Sequence, residues 1–223
     1  MTVALLILTL NEIDGMKKIV PQINRDWVDE ILLVDGGSTD GTIEEAKNQE
    51  IDVLIQKNKG HGAAIIEGVA ATKSDSIIFF GPDGNHYPEE IEILAKKIKE
   101  GYDQVLISRF GNGSENLDAN FIEAFGNKMF AFLVNVFFGG HWTDTLNESR
   151  VITRKAFHDL KFNAFQMAST QQMSIRGLKL RQNILELVGN EGERIGGKKK
   201  MRPLQVGYDL SHEILKEFFW WKI

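Results

Sequence analysis

Apolar runs of strand length alternate with helix-patterned segments through the first half of the chain, and this alternation restricts the fold more than any other feature. The runs fall at 3–8, 30–35, 52–55, 76–80 and 104–108, with helical patterns between them at 12–24, 40–49, 61–72 and 87–100. Ile65, Ile66, Val69 and Ala70 recur at helical spacing, as do Ile91, Leu94, Ala95 and Ile98, so each set forms one apolar helix face. Repeated strand–helix–strand units predict an α/β fold with a mostly parallel sheet flanked by helices. Sheets of this kind take ligands in the loops at the carboxyl ends of their strands.

The second half is less regular. The spacing predicts a long helix over 118–138, with Ile122, Phe125, Met129, Phe132, Leu133 and Val136 on one face that reads as core. A strand is expected at 148–154, helices at 155–161 and 166–176, a charged glycine-rich loop at 189–203 and an apolar helix end at 215–223. No repeat or linker divides the chain, so 1–223 reads as a single domain with a ligand-binding half, 1–110, and a second half, 111–223. The net charge of −5 argues against nucleic acid as a partner. The absence of cysteine excludes disulfides and thiolate metal sites. No apolar run approaches the roughly 20 residues of a membrane span, so a cytoplasmic protein is expected, with peripheral membrane contact at most.

Four loops follow the first four predicted strands. In "TLNE" (9–12), Asn11 can cap the next helix and Glu12 complements its dipole. In "VDGGSTDGT" (34–42), Thr39 or Asp40 can cap a helix, but Asp35 precedes the turn and is placed to accept hydrogen bonds from a base or a ribose hydroxyl. In "NKGHGAA" (58–64), glycines at a helix start let backbone N–H groups approach a phosphate, with Lys59 adding charge. "IIFFGPDGNHYPEE" (77–90) ends a strand in a small acidic loop containing Asp83, Asn85 and His86, the last read as a packing residue.

These four motifs, in order and in register, resemble the family-2 glycosyltransferases with a GT-A fold, and within them the dolichyl-phosphate mannosyltransferase-like enzymes. "SRF" (108–110), "DTLNESRVITR" (144–154) and the basic "ERIGGKKKMR" (193–202) agree in outline. The resemblance implies an inverting glycosyltransferase that moves a sugar from a UDP- or GDP-linked donor to a polyprenyl phosphate or a glycan, in cell-envelope polysaccharide synthesis. It implies that Thr9, Asn11, Glu12, Asp35, Lys59, Gly60 and Asp83 bind the nucleotide sugar. In such enzymes the loop after the fourth strand reads Asp-x-Asp and holds Mg or Mn against the diphosphate. Here Gly81 occupies the first aspartate position, as in a bacterial variant reading PDGN, and Asp83 and Asn85 remain as metal ligands.

Inverting members deprotonate the acceptor with a carboxylate, or need none when the acceptor is an ionised phosphate. The segment expected to carry that acid, "FQMASTQQMSIRG" (165–177), has no Asp or Glu. The resemblance therefore points to a phosphate acceptor, with Asp144 and Glu148 as the other candidate bases. Arg109, Arg150, Arg194, Lys198, Lys199, Lys200 and Arg202 are the expected phosphate or acceptor contacts, the last five in a stretch of nine residues that reads as a closing flap. Trp142 is expected to shape the acceptor side, and Phe218, Phe219, Trp220 and Trp221 to dock at a membrane or bury in the domain. Two alternatives carry different expectations. A catalytically impaired nucleotide-binding module or scaffold of the same fold would bind without turnover. A sugar-1-phosphate nucleotidyltransferase would need a Gly-rich basic loop after the first strand, which "TLNEIDG" is not.

Overall fold

A computed structural model describes residues 1–164, 166, 168–196 and 203–219. Its strands are β1 (Val3–Thr9), β2 (Glu30–Asp35), β3 (Asp52–Ile55), β4 (Ser76–Phe80), β5 (Gln104–Ser108), β6 (Arg150–Thr153) and β7 (Ile184–Val188). They form one sheet in the order β3-β2-β1-β4-β6-β5-β7. All neighbours pair in parallel except β6, which runs antiparallel to both β4 and β5. β1, β4 and β5 are buried along their whole length, which is why they read as continuous apolar runs. Leu5, Ile7, Ile78 and Phe80 face one apolar layer, and Leu6, Leu8, Ile77 and Phe79 face the other.

The helices are α1 (Ile13–Lys18), α2 (Thr42–Asn48), α3 (His61–Ala71), α4 (Glu89–Ile98), α5 (Phe121–Phe138), α6 (Arg154–Asp159), α7 (Ser169–Lys179) and α8 (Pro203–Phe219). Two helices and one strand differ in extent or presence from the sequence expectation. The helix expected over 12–24 ends at Lys18, followed by a 3-10 turn at Val20–Gln22 carrying Pro21, which cannot donate to a continuing helix, and a second 3-10 turn follows at Arg25–Trp27. The apolar tail is the end of a longer helix, α8. β7, a half-buried strand at the sheet edge, was not legible as a run, because its residues mix Leu185 and Leu187 with Glu186.

The largest correction concerns α5. Asn120 caps it with a capping box to Glu123, and Gly139 ends it in the left-handed conformation. Its Ile122–Phe125–Met129–Phe132–Val136 face, read as core, is exposed, and only Phe130, Ala131 and Val134 are buried. The helical period identified an apolar stripe correctly; tertiary packing turned a different one inward, toward α7 and α8. By length and mean hydropathy α5 is also apolar enough to cross a membrane, a possibility the sequence reading had set aside.

Candidate active site

The parallel strands β1, β2 and β4 end on the same edge of the sheet, which brings Thr9, Asp35 and the loop after Phe80 together. Asp35 is wholly buried and accepts from Thr9 Oγ1 (2.8 Å), the Gly37 and Ser38 amides (2.8 and 2.6 Å) and Ser38 Oγ (2.6 Å). Its carboxylate organises the turn, so contact with a ribose or base requires exchanging one of these bonds. Asn11 has a φ of 52° and accepts from the Thr39 amide instead of capping α1. Asp40 joins the starts of two helices, accepting from the Ile13 and Thr42 amides. Lys59 is exposed, and Gly60, with a φ of 113°, turns the chain into α3.

The acidic loop after β4 is held on three sides at glycines. A Cβ at Gly15 would collide with the Pro82 carbonyl, so α1 lies directly against the loop. A Cβ at Gly84 would meet Ile195 and the Glu193 carbonyl. There the segment after β7 covers the loop, with the Ile195 amide donating to Asp83 O (2.7 Å) and the Gly192 amide to Asn85 O (3.1 Å). On the third side, a Cβ at Gly81 would collide with Oε1 of Glu148. Arg194 spans the mouth: Nη1 lies 2.7 Å from Asp83 Oδ2, and Nη2 lies 2.9 Å from Glu12 Oε1. Of the predicted flap, Arg194 is therefore at the loop, whereas Lys198, Lys199, Lys200 and Arg202 lie outside the described residues, as do Trp220 and Trp221.

A chain of charged groups leads from this loop to a second site. Asn85 Nδ2 donates toward Asp118 and Glu191 (3.2 and 3.4 Å), and buried Glu191 pairs with Arg109 Nη1 at 2.8 Å. Arg109 Nε also donates to Asp144 Oδ2 at 2.7 Å, and Nη2 to Oδ1 at 3.3 Å. Asp144 is fully buried and also accepts from the Leu146 and Asn147 amides. Burial opposes its ionisation, but the Arg109 charge and these bonds hold the carboxyl below its usual range. Such a carboxylate orients Arg109 and is a poor proton acceptor. Arg109, Phe110, Gly111, Ser114, Asn116, Ala119, Ala124 and Lys128 line an open pocket of about 310 Å³ at the start of α5.

Arg150 is placed differently from the expectation of a phosphate contact. It lies in the middle of the sheet, fully buried, donating to Asn147 O and Ser174 Oγ (3.3 and 3.2 Å). Burial pushes it down to about 10, and its Nε and Nη1 have no partner among the described residues. Gln171 and Gln172 are buried in α7, away from solvent. Trp142 is nearly buried in the layer that α5, α7 and α8 share.

The sequence reading missed His61, although it lies within the quoted "NKGHGAA". Its Nε2 lies 2.5 Å from Glu148 Oε2, and its Nδ1 lies 2.7 Å from Ser169 Oγ. Burial works against Glu148 ionising, but the His61 bond and nearby charge hold its carboxyl below the usual range. Lys128 was also missed, because it interrupts the apolar face that dominated the reading of α5.

Residues 5–161 match the family model described as Glycosyl transferase family 2. The chain belongs to glycosyl transferase family 2. Like other glycosyltransferases of that family, it is similar to curated relatives over much of its length. It is 27% identical over 210 residues to a dolichyl-phosphate hexose transferase of Haloferax volcanii, covering 93% of this chain and 90% of that protein. It is 25% identical over 182 residues to Glycosyltransferase AglJ of the same organism, covering 79% of this chain but only 60% of AglJ. Its fold matches glucosyl-3-phosphoglycerate synthase from Mycobacterium tuberculosis, solved with Mn2+, UDP and glucosyl-3-phosphoglycerate, at a TM-score of 0.75 and 20% identity over 98% of this chain and 80% of that one.

A divalent cation fits the residues of the acidic loop. Asp83 offers a carboxylate, one oxygen of which Arg194 holds, Asn85 Oδ1 is buried without a hydrogen-bond partner among the described residues, and Glu148 Oε1 faces the bare Cα of Gly81. These are hard oxygen donors of the kind Mg2+ and Mn2+ take. Among the described residues no three acidic or histidine side chains form a ready cation cluster, so diphosphate oxygens would have to complete the coordination.

Proposed function

We propose that this family-2 enzyme transfers a sugar, with inversion, from a nucleotide diphosphate sugar at the loops after β1, β2 and β4 to a polyprenyl phosphate at the Arg109–Lys128 pocket. One observation carries the reading. The acidic loop and the pocket are joined through Asn85, Glu191 and Arg109, and the pocket opens beside the exposed apolar face of α5. A pocket that presents Arg109, held by two carboxylates, and Lys128 beside exposed Phe125, Met129 and Phe132 matches a ligand with a phosphate head and a hydrocarbon chain. The dolichyl-phosphate relative named above supports the same acceptor class.

Asp144 and Glu191 fix the orientation of the Arg109 guanidinium, and a phosphate would be met by the N–H groups that those carboxylates leave unused. Lys128, exposed on α5, adds a second positive charge. An ionised phosphate oxygen is itself a competent nucleophile at neutral pH, so no side chain has to deprotonate it. That removes the need for the acid absent from 165–177. Thr9, Asn11, Glu12, Asp35, Lys59 and Gly60 surround the nucleoside and diphosphate, with Arg194 closing the mouth. Bound with the donor, Mg2+ or Mn2+ would be held by Asp83 and Asn85 and would neutralise the leaving diphosphate. Work at the cytoplasmic face of a membrane follows from a lipid acceptor and a nucleotide donor.

Thermal shift with UDP or GDP, each with and without Mn2+, tests the donor half. A shift that needs Asp83 and vanishes in Asp83→Ala is expected; no shift with either nucleotide at millimolar concentration sinks the reading. Sugar transfer to a short-chain polyprenyl phosphate tests the acceptor half. Binding of nucleotide without transfer or donor hydrolysis would favour the scaffold alternative.

A further inference from the structure

Glycine at position 81 is not required by the backbone. Gly84 has a φ of 93° in the same loop, but Gly81 is not among the positive-φ residues. What meets a side chain at 81 is Glu148, whose Oε1 occupies the space a Cβ would enter and would have to move aside. The sheet explains why these distant residues meet. β4 and β6 pair antiparallel, with Ser76 opposite Thr153 and Phe79 opposite Arg150. Continuing that register two residues past Phe79 brings Gly81 opposite Glu148. The two oxygens of Glu148 have different surroundings. Oε2 is taken by His61, which Ser169 braces from its other ring nitrogen, while Oε1 has no hydrogen bond among the described residues and lies against Gly81, two positions before Asp83 in the chain.

We propose that Glu148 supplies, from the strand next door, the carboxylate that position 81 lacks: Oε1 joins Asp83 in holding the divalent cation that accompanies the donor diphosphate, and His61 and Ser169 are positioning residues for it. A carboxylate reaching the loop from the segment that enters β6 places an oxygen against Gly81, beside where a short acidic side chain there would place one. The His61 bond fixes which oxygen faces the loop, as outer partners of metal ligands do. Glu148 then acts as a ligand for the cation and not as the acceptor's base. This assignment rests on the donor-site reading above.

The test is Mn2+ affinity at saturating nucleotide, read by electron paramagnetic resonance of free Mn2+, with UDP and GDP each used as the nucleotide. Glu148→Gln keeps the shape and is expected to lower Mn2+ affinity about tenfold or more, with nucleotide affinity in the absence of metal unchanged. Gly81→Ala is expected to do the same by pushing the Glu148 carboxylate aside. The exchange variant Gly81→Asp with Glu148→Gly should recover most of the lost affinity, and His61→Gln should lose about tenfold with Glu148 intact. Wild-type Mn2+ affinity in Glu148→Gln overturns the proposal. So does an exchange variant that melts like wild type yet fails to recover Mn2+. Failure of the donor-site reading looks different: the wild-type protein would bind neither nucleotide, with metal or without it.

Discussion

Arg194 Nη1 lies 2.7 Å from Asp83 Oδ2, and its other terminal nitrogen lies 2.9 Å from Glu12, so one guanidinium neutralises two carboxylates from opposite sides of the cleft. Arg194→Ala leaves Glu12 and Asp83 facing an incoming diphosphate without compensation. Nucleotide affinity measured by calorimetry without metal should fall by about tenfold, the equivalent of ~1.4 kcal/mol for a lost charge-assisted pair. The same variant should bind Mn2+ alone more tightly than wild type, because Asp83 is then released.

Arg109 is the structural hinge between the two halves of the site, and its loss should be felt in stability as well as catalysis. Removing it strands Asp144 and Glu191, which are 0% and 2% exposed. An uncompensated buried charge costs about 3–5 kcal/mol, so Arg109→Ala should lower the urea midpoint strongly. Arg109→Lys should recover only part of this, since a lysine cannot reach Asp144 and Glu191 with separate nitrogens of one rigid fork.

Lys128 and the α5 face divide acceptor recognition into a polar and an apolar part. Lys128→Ala should raise KM for a polyprenyl phosphate by about tenfold and leave nucleotide binding unchanged. Replacing Phe125 and Phe132 together by Glu should abolish sedimentation with lipid vesicles. Because both rings are more than 60% exposed, the melting temperature should stay close to wild type. A large drop in melting temperature would mean that this face packs against the protein.

Glu90 gives a pH dependence of definite sign. Burial pushes its carboxyl above the ordinary value of 4.5, against the opposing effects of His86 and the Ser149 hydroxyl, 2.6 Å away. An acid whose folded pKa is raised binds its proton more tightly in the folded state. Stability from this group is present below the unfolded value near 4.5 and is lost as pH rises through the higher folded value. Glu90→Gln should therefore raise the melting temperature at pH 7 relative to wild type, and the two curves should converge in acid.

The strands, their order along the chain and the ligand loops were legible because each rests on local chemistry. Short Ile, Leu, Val and Phe runs spaced between helical patterns read as strands, and Asp35 or Asp83 at a strand end is visible as a carboxylate in a turn. The α5 stripe was legible as a stripe, but which side of a helix meets the core depends on what packs against it, and α7 and α8 lie far along the chain. Arg150 was expected to contact phosphate because it is a cation in a segment that resembles the acceptor side; only the pairing of β6 between β4 and β5 buries it. The apparent gap at Gly81 shows the same division. By itself the sequence determined a loop with one carboxylate, Asp83, and a strand-entry segment with another, Glu148, 65 positions apart. Their meeting was decided by the antiparallel register of β4 and β6, which no local pattern encodes, because strand pairing is set by packing across the whole sheet.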